Sequence, residues 1–130
     1  MAVSCLMIES LIAFRNGWNT TQEDGRNVFG QFFRTYDEFA PLVPFGASFN
    51  RHVRNGLLHQ AETTGGWRIR RDRSKLFDPH TKTIEADRFR SALGRALSAY
   101  RDELGASAWD ARLWNNFRTK VDAICRNAGA

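Results

Sequence analysis

The sequence predicts a mainly α-helical protein, one domain over residues 1–130, built as a five-helix bundle with a β-hairpin inserted around residues 67–84. Three observations carry that prediction. Apolar residues recur at three- and four-residue spacing over five stretches, the spacing that places side chains on one face of an α-helix. Pro and Gly punctuate the gaps between those stretches. Only the segment from Trp67 to Ile84 has the apolar–polar alternation of strands.

In the first helix Val3, Leu6, Met7, Ser10, Leu11 and Phe14 follow helical spacing, and Gly17 supplies a stop. Ile8 and Ile12 widen its apolar surface, so this helix is expected to be central. Thr20-Thr21-Gln22-Glu23 has the spacing of a capping box for the second helix, whose buried side should hold Val28, Phe29, Phe32, Phe33 and Tyr36. Pro41 and Pro44 enforce a break. The third helix is expected from about Phe45 to Ala61, with an unbroken i, i+4 core row of Phe45, Phe49, Val53 and Leu57, followed by Thr64-Gly65-Gly66. Trp67-Arg68-Ile69-Arg70 reads as a strand pairing with Lys75-Leu76-Phe77 across Asp72-Arg73-Ser74. Asp78-Pro79 marks a turn, and Thr83-Ile84 is a further short strand. Phe89, Leu93, Leu97, Tyr100 and Leu104 define a fourth helix. Gly105 leads into a fifth, with Trp109, Leu113, Phe117, Val121 and Ile124 on its core side.

Composition narrows the function classes. Hydrophobic residues make up 42% and charged residues 25% of the chain, a globular balance that excludes disordered and fibrous classes. No apolar run approaches the ~18 residues of a membrane span. The stretch Met1–Phe14 is interrupted by Glu9 and has no preceding Lys or Arg, so a buried helix is expected there rather than a secretory signal. Cys5 and Cys125 lie at opposite ends without metal-ligand spacing, which predicts neither a disulfide framework nor a metal site and fits a reducing cytoplasm. No Walker or GxGxxG loop is present, and no cofactor is expected.

The net charge is +5, and its placement is uneven. Between Arg51 and Lys75 stand seven basic residues (Arg51, Arg54, Arg68, Arg70, Arg71, Arg73, Lys75) against two acids, Glu62 and Asp72, so this window alone accounts for the excess. Sixteen of the nineteen cations are Arg, whose planar fork binds phosphate bidentately and stacks on bases. A polyanion partner is the expectation; Trp67 and Phe77 could stack on bases, but as hairpin residues they are expected to pack on the bundle.

The third helix concentrates the chemistry. At about 100° per residue, Arg51, Asn55 and His59 form a polar row opposite the core row, His52 projects near it, and Arg54 lies between the two. Gly56 sits in the same helix, where it costs up to ~1 kcal/mol relative to Ala and would let another backbone come close. The segment Arg54-Asn55-Gly56-Leu57-Leu58-His59 resembles the signature of HEPN domains: Arg, four to six residues, then His, with a polar residue straight after the Arg. A second match, Arg73 to His80, spans the Asp78-Pro79 turn and lacks the helical context.

That resemblance implies a helical bundle acting as a metal-independent endoribonuclease, of the kind found among toxins and antiviral-defence effectors. RNA carries its own nucleophile in the 2′-OH, so cleavage needs a base, an acid and a group to stabilise the phosphorane. Imidazole suits proton transfer and guanidinium suits phosphate oxygens. The implied catalytic residues are Arg54, His59 and Asn55. Arg51, His52, Arg68, Arg70, Arg71 and Arg73 are the expected RNA-binding residues. One chain supplies one Arg–His pair for two proton-transfer roles, so the resemblance also implies a homodimer through the third helix. HEPN toxins paired with a nucleotidyltransferase antitoxin commonly carry a modifiable Tyr two residues past the His. Gln60-Ala61 follows here, so an antitoxin or regulatory partner would act differently. Glu62 could orient His59, and Glu9 could reach the cleft or simply mark a helix edge. The alternative function is a non-catalytic RNA- or nucleotide-binding or dimerisation module of the same fold.

Overall fold

The computed structural model describes residues 1–21 and 27–129. A ring-to-ring aromatic cluster organises the bundle. Phe29, Phe32, Phe33, Phe39, Phe49 and Phe89 are all buried, with contacting centroids 4.8–6.4 Å apart. Each such ring brings a large apolar area, and tilted and edge-on contacts add to it.

Helix α1 (Ala2–Asn16) ends where expected: Gly17 adopts φ 66°, and its N–H turns back to the carbonyls of Ala13 and Phe14. Its buried face is only partly the expected one. Cys5, Ile8, Leu11 and Ile12 enter the core, whereas Val3, Leu6 and Met7 are 68%, 46% and 38% exposed. The helix carries two apolar faces, and the bundle covers only one of them.

Helix α2 (Val28–Thr35) starts at Asn27, whose Oδ1 accepts the Gly30 N–H at 2.8 Å, a standard N-cap bond. Of the expected capping box, Gln22 and Glu23 lie outside the described residues. Val28, Phe29, Phe32 and Phe33 are buried as predicted. Asp37–Phe45 then forms a 3-10 stretch that includes both Pro41 and Pro44.

The third helical rod is continuous over residues 46–60 but not uniform. α3 (Gly46–Phe49) passes through a π turn (Asn50–Arg54) into α4 (Asn55–Gln60), and the Asn55 N–H reaches the Asn50 carbonyl five residues back. An α-helix turns about 100° per residue, so a strict i, i+4 row precesses about 40° per step. The wider π turn takes up this drift. Phe49 and Val53 are fully buried, with Phe45 and Leu57 packed against the core.

The inserted β segment differs from a simple hairpin of Trp67–Arg70 with Lys75–Phe77. The order is β1 (Arg68–Arg70), β3 (Thr83–Glu85), β2 (Phe77–Asp78), with β3 in the middle. β1 pairs with β3 in parallel, Arg68 opposite Thr83 and Arg70 opposite Glu85. β2 pairs with β3 antiparallel, Phe77 opposite Ile84 and Asp78 opposite Thr83. Burial explains the choice: all three residues of β3 are buried, while Arg68 and Arg70 are exposed and suit an edge. Asp72 at φ 65° turns the chain away after β1, and Arg88 Nε donates to the Arg73 carbonyl at 2.8 Å. Trp67 and Phe77 are buried and stacked on one another with centroids 5.4 Å apart, and Trp67 Nε1 donates to Ser48 Oγ. They serve packing, so base stacking by these two rings is not available.

Glu85 closes the sheet and caps α5 (Ala86–Ala106) by accepting the Arg88 N–H. Gly105 lies inside the last turn of α5, and α6 (Arg112–Asn127) begins after a short connection. α6 packs on α1 through Phe14 and Phe117, centroids 5.2 Å apart. Only two of the five residues of its expected core row are enclosed. Leu113 and Phe117 pack against the core, whereas Trp109, Val121 and Ile124 are 66%, 36% and 46% exposed. The bundle ends there, and nothing among the described residues covers the far half of α6. No helix among the described residues is long and apolar enough to cross a membrane.

Candidate functional site

Arg54 is the last residue of the π turn and the best-held polar side chain of the third rod. Its Nε and Nη2 donate to both carboxylate oxygens of Glu9 at 3.1–3.3 Å, and its Nη1 donates to Asn55 Oδ1 at 3.0 Å. The side chains are only 20% and 14% exposed. Glu9 is therefore the partner of Arg54, not merely a residue at a helix edge. The sequence signal was its isolation as the one charge in the apolar stretch Met1–Phe14. Leu6, Glu9, Ser10, Arg54 and Lys120 share a shallow cleft of about 290 Å³.

His59 stands near the end of α4, exposed and without a hydrogen-bond partner among the described residues. It follows Asn55 by four residues and shares its face. Arg54 precedes it by five, which places the two about 140° apart around the helix. One chain thus brings Arg54, Asn55 and Glu9 together, while His59, on Asn55's side of the helix, lies about 140° around it from Arg54. The Glu62 side chain makes no bond to His59 among the described residues. Its backbone has another role, since a Cβ on Gly56 would collide with the Glu62 carbonyl oxygen. Gly56 is buried under that turn and is accounted for inside the chain. The helix stops at Ala61, held in the left-handed region at φ 57°.

Of the other expected residues, Arg51 is exposed on the polar row. His52 is half-buried. Its Nδ1 lies 2.8 Å from Thr64 Oγ1, and its ring packs so closely on Gly65, at φ 61°, that a Cβ there would approach Nδ1 to 2.6 Å. Arg68, Arg70 and Arg73 gather on the outer side of the sheet with Lys75, lining a cleft of about 360 Å³ floored by Thr83 and walled by Asp78. Arg71 diverges from them towards Asp87, 3.8 Å away. Asp78 and Thr83 entered this cleft unforeseen, because their proximity to Arg68 depends on β3 lying between β1 and β2.

Cys5 and Asp78 are among the groups whose ionisation is perturbed. Burial pushes the Cys5 thiol up to about 12. The backbone N–H of His80 holds the Asp78 carboxyl below the usual range. Compared with family models, curated proteins and solved structures, the chain matches none.

Proposed function

We propose that the chain is a metal-independent endoribonuclease of HEPN type, acting as a homodimer, with a toxin or antiviral-defence role. One observation carries the reading: the Arg54 guanidinium is fixed by Glu9 and Asn55 within the Arg-Asn-x3-His segment. A preset guanidinium stabilises a developing phosphorane without reorganising during the reaction. The π turn ending at Arg54 supports it further, since such turns are frequent at functional sites.

In this mechanism one His59 takes the proton of the 2′-OH as the oxygen attacks phosphorus. The bond to the 5′-oxygen breaks, and a second His59 protonates that leaving oxygen. The products are a 2′,3′-cyclic phosphate and a 5′-OH. The 140° offset between Arg54 and His59 favours a composite site, in which a second copy brings its imidazole to the first copy's guanidinium. The open face of α1, with Val3, Leu6 and Met7 next to the cleft of Glu9 and Arg54, offers apolar surface for such a pairing. Leu58 on the third rod adds to it.

The Glu9–Arg54 ion pair also suits a second reading, a non-catalytic module in which the pair only ties α1 to the third rod. The variants Arg54→Lys and His59→Ala separate the two. In an enzyme each should lower RNA cleavage by ~100- to 10,000-fold while leaving the fold intact. In a binding module neither alters a cleavage rate above background.

A further inference from the structure

Several arginines of this molecule are tied to carboxylates of other helices. Arg15 pairs with Glu103, Arg54 with Glu9 and Arg95 with Glu38. The outer side of the sheet differs in gathering several cations around one space. Arg68, Arg70, Arg73 and Lys75 line one cleft, and none of them has an ion-pair partner among the described residues. Four like charges around one space repel each other, the cleft sets only one acid, Asp78, against them, and an external anion would offset the remaining excess.

The cleft's shape and chemistry narrow the anion. Its volume of about 360 Å³ lies in the range of small-ligand sites, roughly 300–1,000 Å³. Its floor is a cross-strand row, Arg68, Thr83 and Asp78, fixed by the register of three strands rather than by a loose loop. The loop side is anchored where Arg88 holds the Arg73 carbonyl. Asp78 is the informative member. Its Oδ1 already accepts the His80 N–H within the turn, and beside phosphate-binding arginines its remaining lone pairs can accept from hydroxyl or N–H donors on the same ligand.

The geometry points to a nucleoside phosphate as the occupant of this cleft. Its phosphate would lie among Arg68, Arg70, Arg73 and Lys75, and its ribose hydroxyls or base N–H groups would donate to Asp78. The ligand could be a free nucleotide or the 5′-phosphate end of an RNA strand. The site does not require catalysis by Arg54 and His59.

Titration calorimetry on the full chain tests it, with the four common ribonucleoside 5′-monophosphates, the corresponding nucleosides and inorganic phosphate as probes. At least one monophosphate should bind about tenfold or more tightly than its nucleoside and than inorganic phosphate. The double variant Arg68→Ala/Arg73→Ala should lose about tenfold or more in that affinity, the loss expected for charged hydrogen bonds. His59→Ala should leave it unchanged, so failure here is distinguishable from failure of the ribonuclease reading. Asp78→Asn should weaken the monophosphate and strengthen inorganic phosphate. A further arm identifies the source: preference for a 5′-phosphorylated over a 5′-hydroxyl RNA oligomer assigns the site to RNA ends, and equal binding of the two assigns it to free nucleotides. No binding by any monophosphate, equal binding by the double variant, or inorganic phosphate binding as tightly as the nucleotides would overturn the proposal.

Discussion

Arg54 shows how much one side chain can be asked to do. Both ends of its fork are engaged, by Glu9 from α1 and by the neighbouring Asn55, so removing Glu9 leaves a half-buried cation without its counter-ion. Glu9→Ala should cost ~1–3 kcal/mol, the range for hydrogen bonds to charged groups, read as a lowered urea midpoint. An unchanged midpoint would mean that the pair contributes nothing. The two cysteines make a second residue-scale contrast. Cys5 is fully buried and its thiol is pushed up to about 12, so at pH 8 it stays protonated and unreactive. Cys125 is exposed. A thiol reagent should modify one cysteine in the native protein and both after unfolding, and rapid reaction of both in the native state would contradict the burial of α1. At this scale the motif was legible, because Arg54, Asn55 and His59 are adjacent in sequence. The pairing with Glu9 was not, because it depends on how α1 lies against the third rod.

The third rod holds the lesson at the scale of elements. Its i, i+4 row was legible as a spacing of four, yet that spacing suits neither a pure α-helix nor a π-helix. The compromise, one π turn at Asn50–Arg54, appears only in the packed structure. The end of the rod carries two opposite backbone demands. Ala61 sits at φ 57°, a conformation costing roughly 1–2 kcal/mol for a residue with a Cβ. Ala61→Gly should therefore stabilise the protein, by ~0.5–1 kcal/mol once the added freedom of the unfolded glycine is counted. Gly56→Ala should do the reverse, costing ~1–3 kcal/mol as its methyl meets the Glu62 carbonyl. Thermal unfolding of the two variants checks both signs, and a shift in the same direction for both would contradict this account of the cap. The sheet was only partly legible. Three short strands can pair in several orders, and the winning one follows from the burial of Thr83, Ile84 and Glu85, which no local alternation announces.

For the whole molecule, the mainly helical architecture and the position of the inserted β segment were readable from periodicity and punctuation. Which helix faces stay open was not. α1 and α6 each carry more apolar surface than the bundle encloses, and periodicity cannot tell a face meant for the core from one meant for a partner. If the open face of α1 is a dimer surface, sedimentation should show a dimer at micromolar concentration, and Leu6→Glu/Met7→Glu should make it monomeric with its helicity intact. A monomeric wild type under those conditions would contradict the composite site. The ribonuclease chemistry itself can be read from the ends of the RNA products. Total RNA is incubated with the wild type and with His59→Ala in the presence of EDTA, and the product ends are identified. Cleavage by the wild type should survive chelation, leave 2′,3′-cyclic phosphate and 5′-OH ends, and fall ~100- to 10,000-fold in the variant. Cleavage by His59→Ala at the wild-type rate, or no cleavage by the wild type, would contradict the ribonuclease reading.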